Sequence, residues 1–121
     1  MIIGLGTDII EIERVRKAAG RKHFRDNVFT GIEQAYCESR GKNSAASYAA
    51  RFAAKEAFFK ALGTGISTRL KEVEVVNDEC GAPKIFLHGK AAALAEEMRV
   101  EKIFLSLSHS REFATAICIL E

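Results

Sequence analysis

Glu56 and Lys60 stand four residues apart in an almost wholly apolar stretch, Arg51 to Gly65, whose other charges are Arg51 and Lys55. A helix there carries both side chains on one face. Its alanines and phenylalanines cover most of the circumference, so it is a buried helix, and charge on such a helix needs a partner or a metal. Two readings fit the spacing. One is an internal Glu–Lys pair that holds the helix in register. The other is a carboxylate for a cation beside an ammonium for a phosphate. A second carboxylate, Asp8, follows Gly4 and Gly6 in an early apolar segment. It can cap the next helix, or it can join Glu56 in a hard, oxygen-rich site suited to Mg2+, which takes one or two carboxylates and completes its shell with water and phosphates. With Lys60 one turn beyond Glu56, such a set suits transfer at phosphorus, where positioning and charge neutralisation dominate.

Particular elements must bring these groups together. Ile2 to Ile10 reads as a buried strand, with Ile3, Leu5, Thr7 and Ile9 on one face and Gly4, Gly6 and Asp8 on the other. The glycines leave that second face bare, open to another backbone or a ligand. Glu11 to Gly20 reads as an amphipathic helix. Arg14, Lys17 and Arg21 line its outer face, as a solvated stripe or as a dock for an acidic partner. His23 to Phe29 is a loop or short helical turn. Thr30 and Glu33 form a capping box that starts a helix at Gly31, running to about Ser39. Asn43 or Ser44 caps the central helix, about Ala45 to Leu62, and Gly63 closes it. Gly63 and Gly65 can also let phosphate oxygens approach backbone amides. Strands are expected over Arg69–Val76 and Lys84–Leu87, with Pro83 in the turn between them. A helix over Gly89–Val100 and a hairpin of strands Ile103–Ser110 and Phe113–Leu120 close the chain. His109 ends an apolar stripe beside the hairpin turn, as a structural residue or a catalyst. The expected class is α+β, an antiparallel sheet packed on a long buried central helix.

Length and composition bound the rest. At 121 residues and 48% hydrophobic, the chain reads as one domain, residues 1–121, with a core. A net charge of +2 is too small for a nucleic-acid binder. Cys37, Cys80 and Cys118 are widely spaced and odd in number, which points to reduced thiols in a cytoplasmic protein. The first residues lack a basic leader, and no apolar run approaches a membrane span. None of the common nucleotide-loop, zincin or nucleophile-elbow motifs is present. No protein nucleophile is indicated, so the attacking group belongs to a substrate.

Three blocks, Gly4–Arg14, Arg51–Gly65 and Ser106–Ser110, together resemble the small, single-lobed 4′-phosphopantetheinyl transferases of the holo-[acyl-carrier-protein] synthase type. The resemblance implies an enzyme that moves the phosphopantetheine arm of coenzyme A onto a serine of an acyl carrier protein, releasing adenosine 3′,5′-bisphosphate in the service of fatty acid biosynthesis. It makes Asp8 and Glu56 the Mg2+ ligands, Lys60 a phosphate contact and leaving-group stabiliser, and His109 a coenzyme A contact and candidate base beside Glu56. It brings Arg51 to the nucleotide and makes Arg14, with Lys17 and Arg21, the dock for the acidic carrier. It also implies a homotrimer with coenzyme A between subunits. Two-lobed relatives carry a third acidic ligand where this chain has Ile10. Two competing expectations are a non-catalytic coenzyme A or carrier-binding module and a metal-dependent phosphodiesterase.

Overall fold

A computed structural model describes residues 1–121. The elements run β1 Gly4–Glu11, α1 Ile12–Ala19, α2 Lys22–Val28, α3 Gly31–Glu38, α4 Ser44–Leu62, β2 Val73–Asn77, β3 Pro83–Leu87, α5 Gly89–Glu97, β4 Ile103–His109 and β5 Phe113–Leu120. The class is α+β, as expected. An antiparallel sheet in the order β1-β5-β4 packs one face on α4, and β2 and β3 form a separate two-stranded antiparallel sheet.

The central helix is held close to β1 because Gly4 and Gly6 present no side chain to keep it away. A Cβ on Gly4 would lie 2.0 Å from the Ala61 carbonyl oxygen, and one on Gly6 would lie 2.0 Å from that of Ala57. The bare face read from the sequence is therefore filled by helix backbone. Ala114, Ala116 and Cys118 of β5 continue the same small-residue surface, and Phe58, Phe59, Leu62, Val73 and Val75 fill the core on the far side of α4. Burial pushes the Cys37 and Cys118 thiols up to about 12, so neither is a thiolate at neutral pH.

Local signals are largely obeyed. The Thr30–Glu33 capping box is formed in both directions, and Gly63 ends α4 in the left-handed conformation with φ 81°. Some expectations are corrected. Of the two alternatives read for His23 to Phe29 the helical one forms, as α2, and Pro83 opens β3 rather than sitting in the turn. Asn43 precedes α4 without capping it through its side chain, because a 3-10 turn, Gly41–Asn43, leads straight into the helix. The strand expected over Arg69–Val76 begins only at Val73, after a 3-10 turn at Leu70–Glu72. The cause is Lys55, whose ammonium takes the carbonyls of both Leu70 and Val73. Curling that segment brings both oxygens to one point, which an extended strand does not allow.

Candidate active site

Asp8, Glu56 and Lys60 line one cleft of about 530 Å³. Period 2 in β1 aims Asp8 to the helix side of the sheet, opposite Ala116 in the register. The 3.6-residue repeat of α4 carries Phe52, Glu56 and Lys60 along the flank that overlooks this strand. The close packing at Gly6 then fixes how far apart strand and helix carry their carboxylates.

The ammonium of Lys60 donates to Asp8 Oδ1 at 3.0 Å and to the Thr7 carbonyl at 3.0 Å. It makes no salt bridge to Glu56, so the Glu–Lys register pair does not form. Nor does Asp8 cap the next helix: Glu11 holds that position, without a side-chain bond. Burial first, then the neighbouring Asp8 charge, push the Glu56 carboxyl above the ordinary carboxylate range, and Lys60 partly offsets them. Two carboxylates close enough to repel, with one ammonium between strand and helix, suit a divalent cation. No third His, Cys, Asp or Glu completes a metal-binding group. The donor set therefore fits Mg2+, which is content with two protein carboxylates, better than a metal that needs a full protein cage.

Arg14 reaches the same cleft, beside an apolar wall of Ile9, Val15, Phe24, Phe52 and Phe113. The sequence reading missed that wall. Its signal was Phe52, one helical turn before Glu56. Lys17 and Arg21 stay outside the cleft and share an adjoining surface groove with Arg14.

Arg51 and His109 lie elsewhere. They line a second cavity of about 220 Å³ with Tyr36, Arg40, Asn43, Asn77, Gly81 and Pro83. Arg51 is 3% exposed. Its guanidinium lies 4.2 Å from the centre of the Tyr36 ring, and Nη2 donates to Asn77 Oδ1 at 3.2 Å. Its Nε is buried without a partner. His109 ends β4, at the sheet edge opposite β1. The helix α4 thus separates the two cavities. Gly63 lines neither, and space around it is open.

An acid pair and a lysine meet at the crossing of a central helix and a glycine-backed strand, a set of groups chemically suited to phosphate. The chain belongs to the 4′-phosphopantetheinyl transferase superfamily, whose sequence profile matches residues 4–118. It is similar to the holo-[acyl-carrier-protein] synthase of Geotalea daltonii, 45% identical over 125 residues, with 100% of this chain and 99% of the relative covered. The crystal structure of holo-[acyl-carrier-protein] synthase from Neisseria meningitidis superposes with a TM-score of 0.91 at 31% identity, over 100% of this chain and 99% of that one. That of the Bacillus anthracis holo-(acyl-carrier-protein) synthase in complex with CoA (3′,5′-ADP) matches with a TM-score of 0.83 at 36% identity, over 99% and 96%. The chain is thus an enzyme, a phosphopantetheinyl transferase. No helix in it is long and apolar enough to cross a membrane.

Proposed function

We propose that this enzyme transfers 4′-phosphopantetheine from coenzyme A to a serine of an apo acyl carrier protein, with Mg2+, releasing adenosine 3′,5′-bisphosphate. The observation that carries the proposal is the meeting of Asp8, Glu56 and Lys60 in one cleft with Arg14. Asp8 and Glu56 would hold Mg2+, which when bound withdraws charge from the diphosphate. Lys60, now on Asp8 and half exposed, reaches a phosphate oxygen and neutralises charge on the departing bisphosphate. The serine oxygen attacks the phosphorus that bears pantetheine, and the bond from that phosphorus to the bridging oxygen breaks. The serine proton goes to one of two candidate bases, Glu56, directly or through a water, or His109. The apolar wall receives the pantetheine arm and excludes water, so that serine outcompetes hydrolysis.

The separation of Arg51 and His109 from the acid pair supports a site completed between subunits, one cavity from each. The outer face of the large sheet supports the homotrimer. Leu5, Ile9, Phe104, Phe113 and Ile117 are all exposed on it, and an apolar patch of that kind marks an interface. Substituting Ile117→Glu puts a charge in its middle and is expected to yield smaller species in sedimentation velocity, with loss of turnover. A single species unchanged in size would exclude this face from assembly.

Arg14, Lys17 and Arg21 form the dock for an acidic carrier. Because Arg21 lies off the catalytic cleft, Arg21→Glu is expected to raise KM for the carrier about tenfold while KM for coenzyme A stays put. The effect should shrink as salt rises. An unchanged carrier KM would make this stripe a solvated face.

Mass spectrometry of an apo-carrier incubated with enzyme, coenzyme A and Mg2+ tests the whole proposal. An added phosphopantetheine is expected. An unmodified carrier would overturn it, and bisphosphate release without a carrier would make the chain a phosphodiesterase.

A further inference from the structure

One buried charge has no part in this chemistry. Lys55 is fully buried, next to Glu56 in sequence but about 100° further round α4. Its ammonium donates to Glu33 Oε1 at 2.8 Å, to the Val73 carbonyl at 2.6 Å and to the Leu70 carbonyl at 3.2 Å, which uses all its protons. Glu33, also fully buried, accepts from the Val75 amide on Oε2 at 2.8 Å and from the Thr30 amide on Oε1 at 2.9 Å. Thus α3, α4, the 3-10 turn at Leu70–Glu72 and the start of β2 all meet on one ion pair.

Stability does not account for this pair. Desolvating two charges cancels much of their attraction, and an apolar pair of similar volume often serves the fold as well. What the pair supplies is direction. The surface of α4 against the sheet is smooth: Ala57 and Ala61 lie on Gly6 and Gly4, with Ala114 and Ala116 nearby in the core. Helix backbone laid on glycines fixes distance well and rotation poorly, so rotation is left to the other buried side chains of α4, where Phe58 and Phe59 supply packing and Lys55 supplies three directional bonds. A turn of about 20° about the helix axis would carry a carboxylate held about 6 Å from it through about 2 Å. That is enough to take Glu56 out of reach of whatever Asp8 holds.

We propose that the Glu33–Lys55 pair sets the rotation of α4 and so presents Glu56 to Asp8, making both residues positioning residues for phosphopantetheine transfer. This rests on the reading of Asp8 and Glu56 as the catalytic carboxylates. The strength of the anchor follows from its other end. Glu33 is held by the capping box of α3 and by β2, so the ion pair ties α4 to two elements that do not turn with it.

The test is the double substitution Glu33→Gln with Lys55→Met. The amide oxygen still serves an amide donor of Glu33, and methionine replaces the lysine stem. Thermal melting reports the fold, steady-state kinetics per folded molecule report the reaction, and Mn2+ binding by electron paramagnetic resonance reports the acid pair without turnover. A lowered melting temperature with a cooperative transition retained, kcat per folded molecule down about 100-fold, carrier KM unchanged and Mn2+ affinity down about tenfold are expected. A stable double variant with wild-type kcat and Mn2+ affinity would reduce the pair to a fold element and overturn the proposal. If the double variant does not fold, Glu33→Asp keeps both charges and withdraws the carboxylate by one methylene. Lower kcat at constant carrier KM then supports positioning, and wild-type kcat overturns it. Wild-type turnover in Glu56→Gln would overturn it by another route, by removing the centre that the pair positions.

Discussion

Glu56→Gln is expected to lower kcat by about 10²–10³-fold while the chain stays folded. Glutamine keeps the shape and burial of the side chain but can neither share a cation with Asp8 nor accept the serine proton. The sign of its effect on stability makes the prediction sharper. Burial and the Asp8 charge raise the Glu56 pKa in the folded chain, so folding favours the protonated form. The stability that this carboxyl contributes is complete below its unfolded pKa and is lost as pH rises through the folded value. The neutral amide escapes that loss. Without divalent cation, the variant should therefore melt above wild type at pH 7 to 8, and the difference should close toward pH 4. Added Mg2+ should raise the melting temperature of wild type and leave the variant unmoved. Turnover near wild type, or a variant that melts lower at neutral pH, would remove Glu56 from the role given to it.

Gly6→Ala is expected to be the most damaging single methyl in the chain. The new Cβ would stand 2.0 Å from the Ala57 carbonyl oxygen and 2.6 Å from the Ala61 amide nitrogen. Both are helix backbone, so no flexible side chain can yield, and strand and helix must part by about 1 Å. A cost above about 4 kcal/mol in urea unfolding follows, in the range reserved for severe overpacking. Any folded fraction should also turn over slowly, because Asp8 lies two residues further along β1 and Glu56 precedes Ala57. Gly20→Ala is the control. Gly20 has φ −66° and ψ −17°, which alanine adopts freely, and its new Cβ would stand 3.3 Å from the Lys17 carbonyl oxygen, a contact that tenths of an ångström relieve, so that variant should stay within about 1 kcal/mol of wild type. If Gly6→Ala unfolds at the same urea concentration as Gly20→Ala, the glycine-backed contact is not what sets the geometry of the site.

Both predictions turn on packing that lies beyond local pattern. The Thr30–Glu33 box, the Gly63 stop and the alternation of β1, β4 and β5 were legible because each is decided by neighbours a few residues away. Asp8, Glu56 and Lys60 could be singled out by type and spacing, and the resemblance to phosphopantetheinyl transferases gave them roles. Local errors were small, at Pro83 and Asn43, and the larger ones fell where a distant group intervened. Arg69–Val76 alternates like a strand, yet Lys55 bends its start into a turn. Glu33 looked like a helix cap and is one, but it is also half of the buried ion pair.

Residue types, periods and the Thr30 and Gly63 caps were thus determined by the sequence alone, since a helix face or a strand face depends only on the geometry of a few successive residues. The tertiary structure decided which faces meet. It seated Lys60 on Asp8 instead of Glu56, put Arg51 and His109 on the opposite flank of α4, and gave the buried charge to Lys55. The physical reason is that contacts between remote segments depend on how closely two surfaces approach. Here that approach is governed by the missing side chains of Gly4 and Gly6 and by one ion pair inside the core.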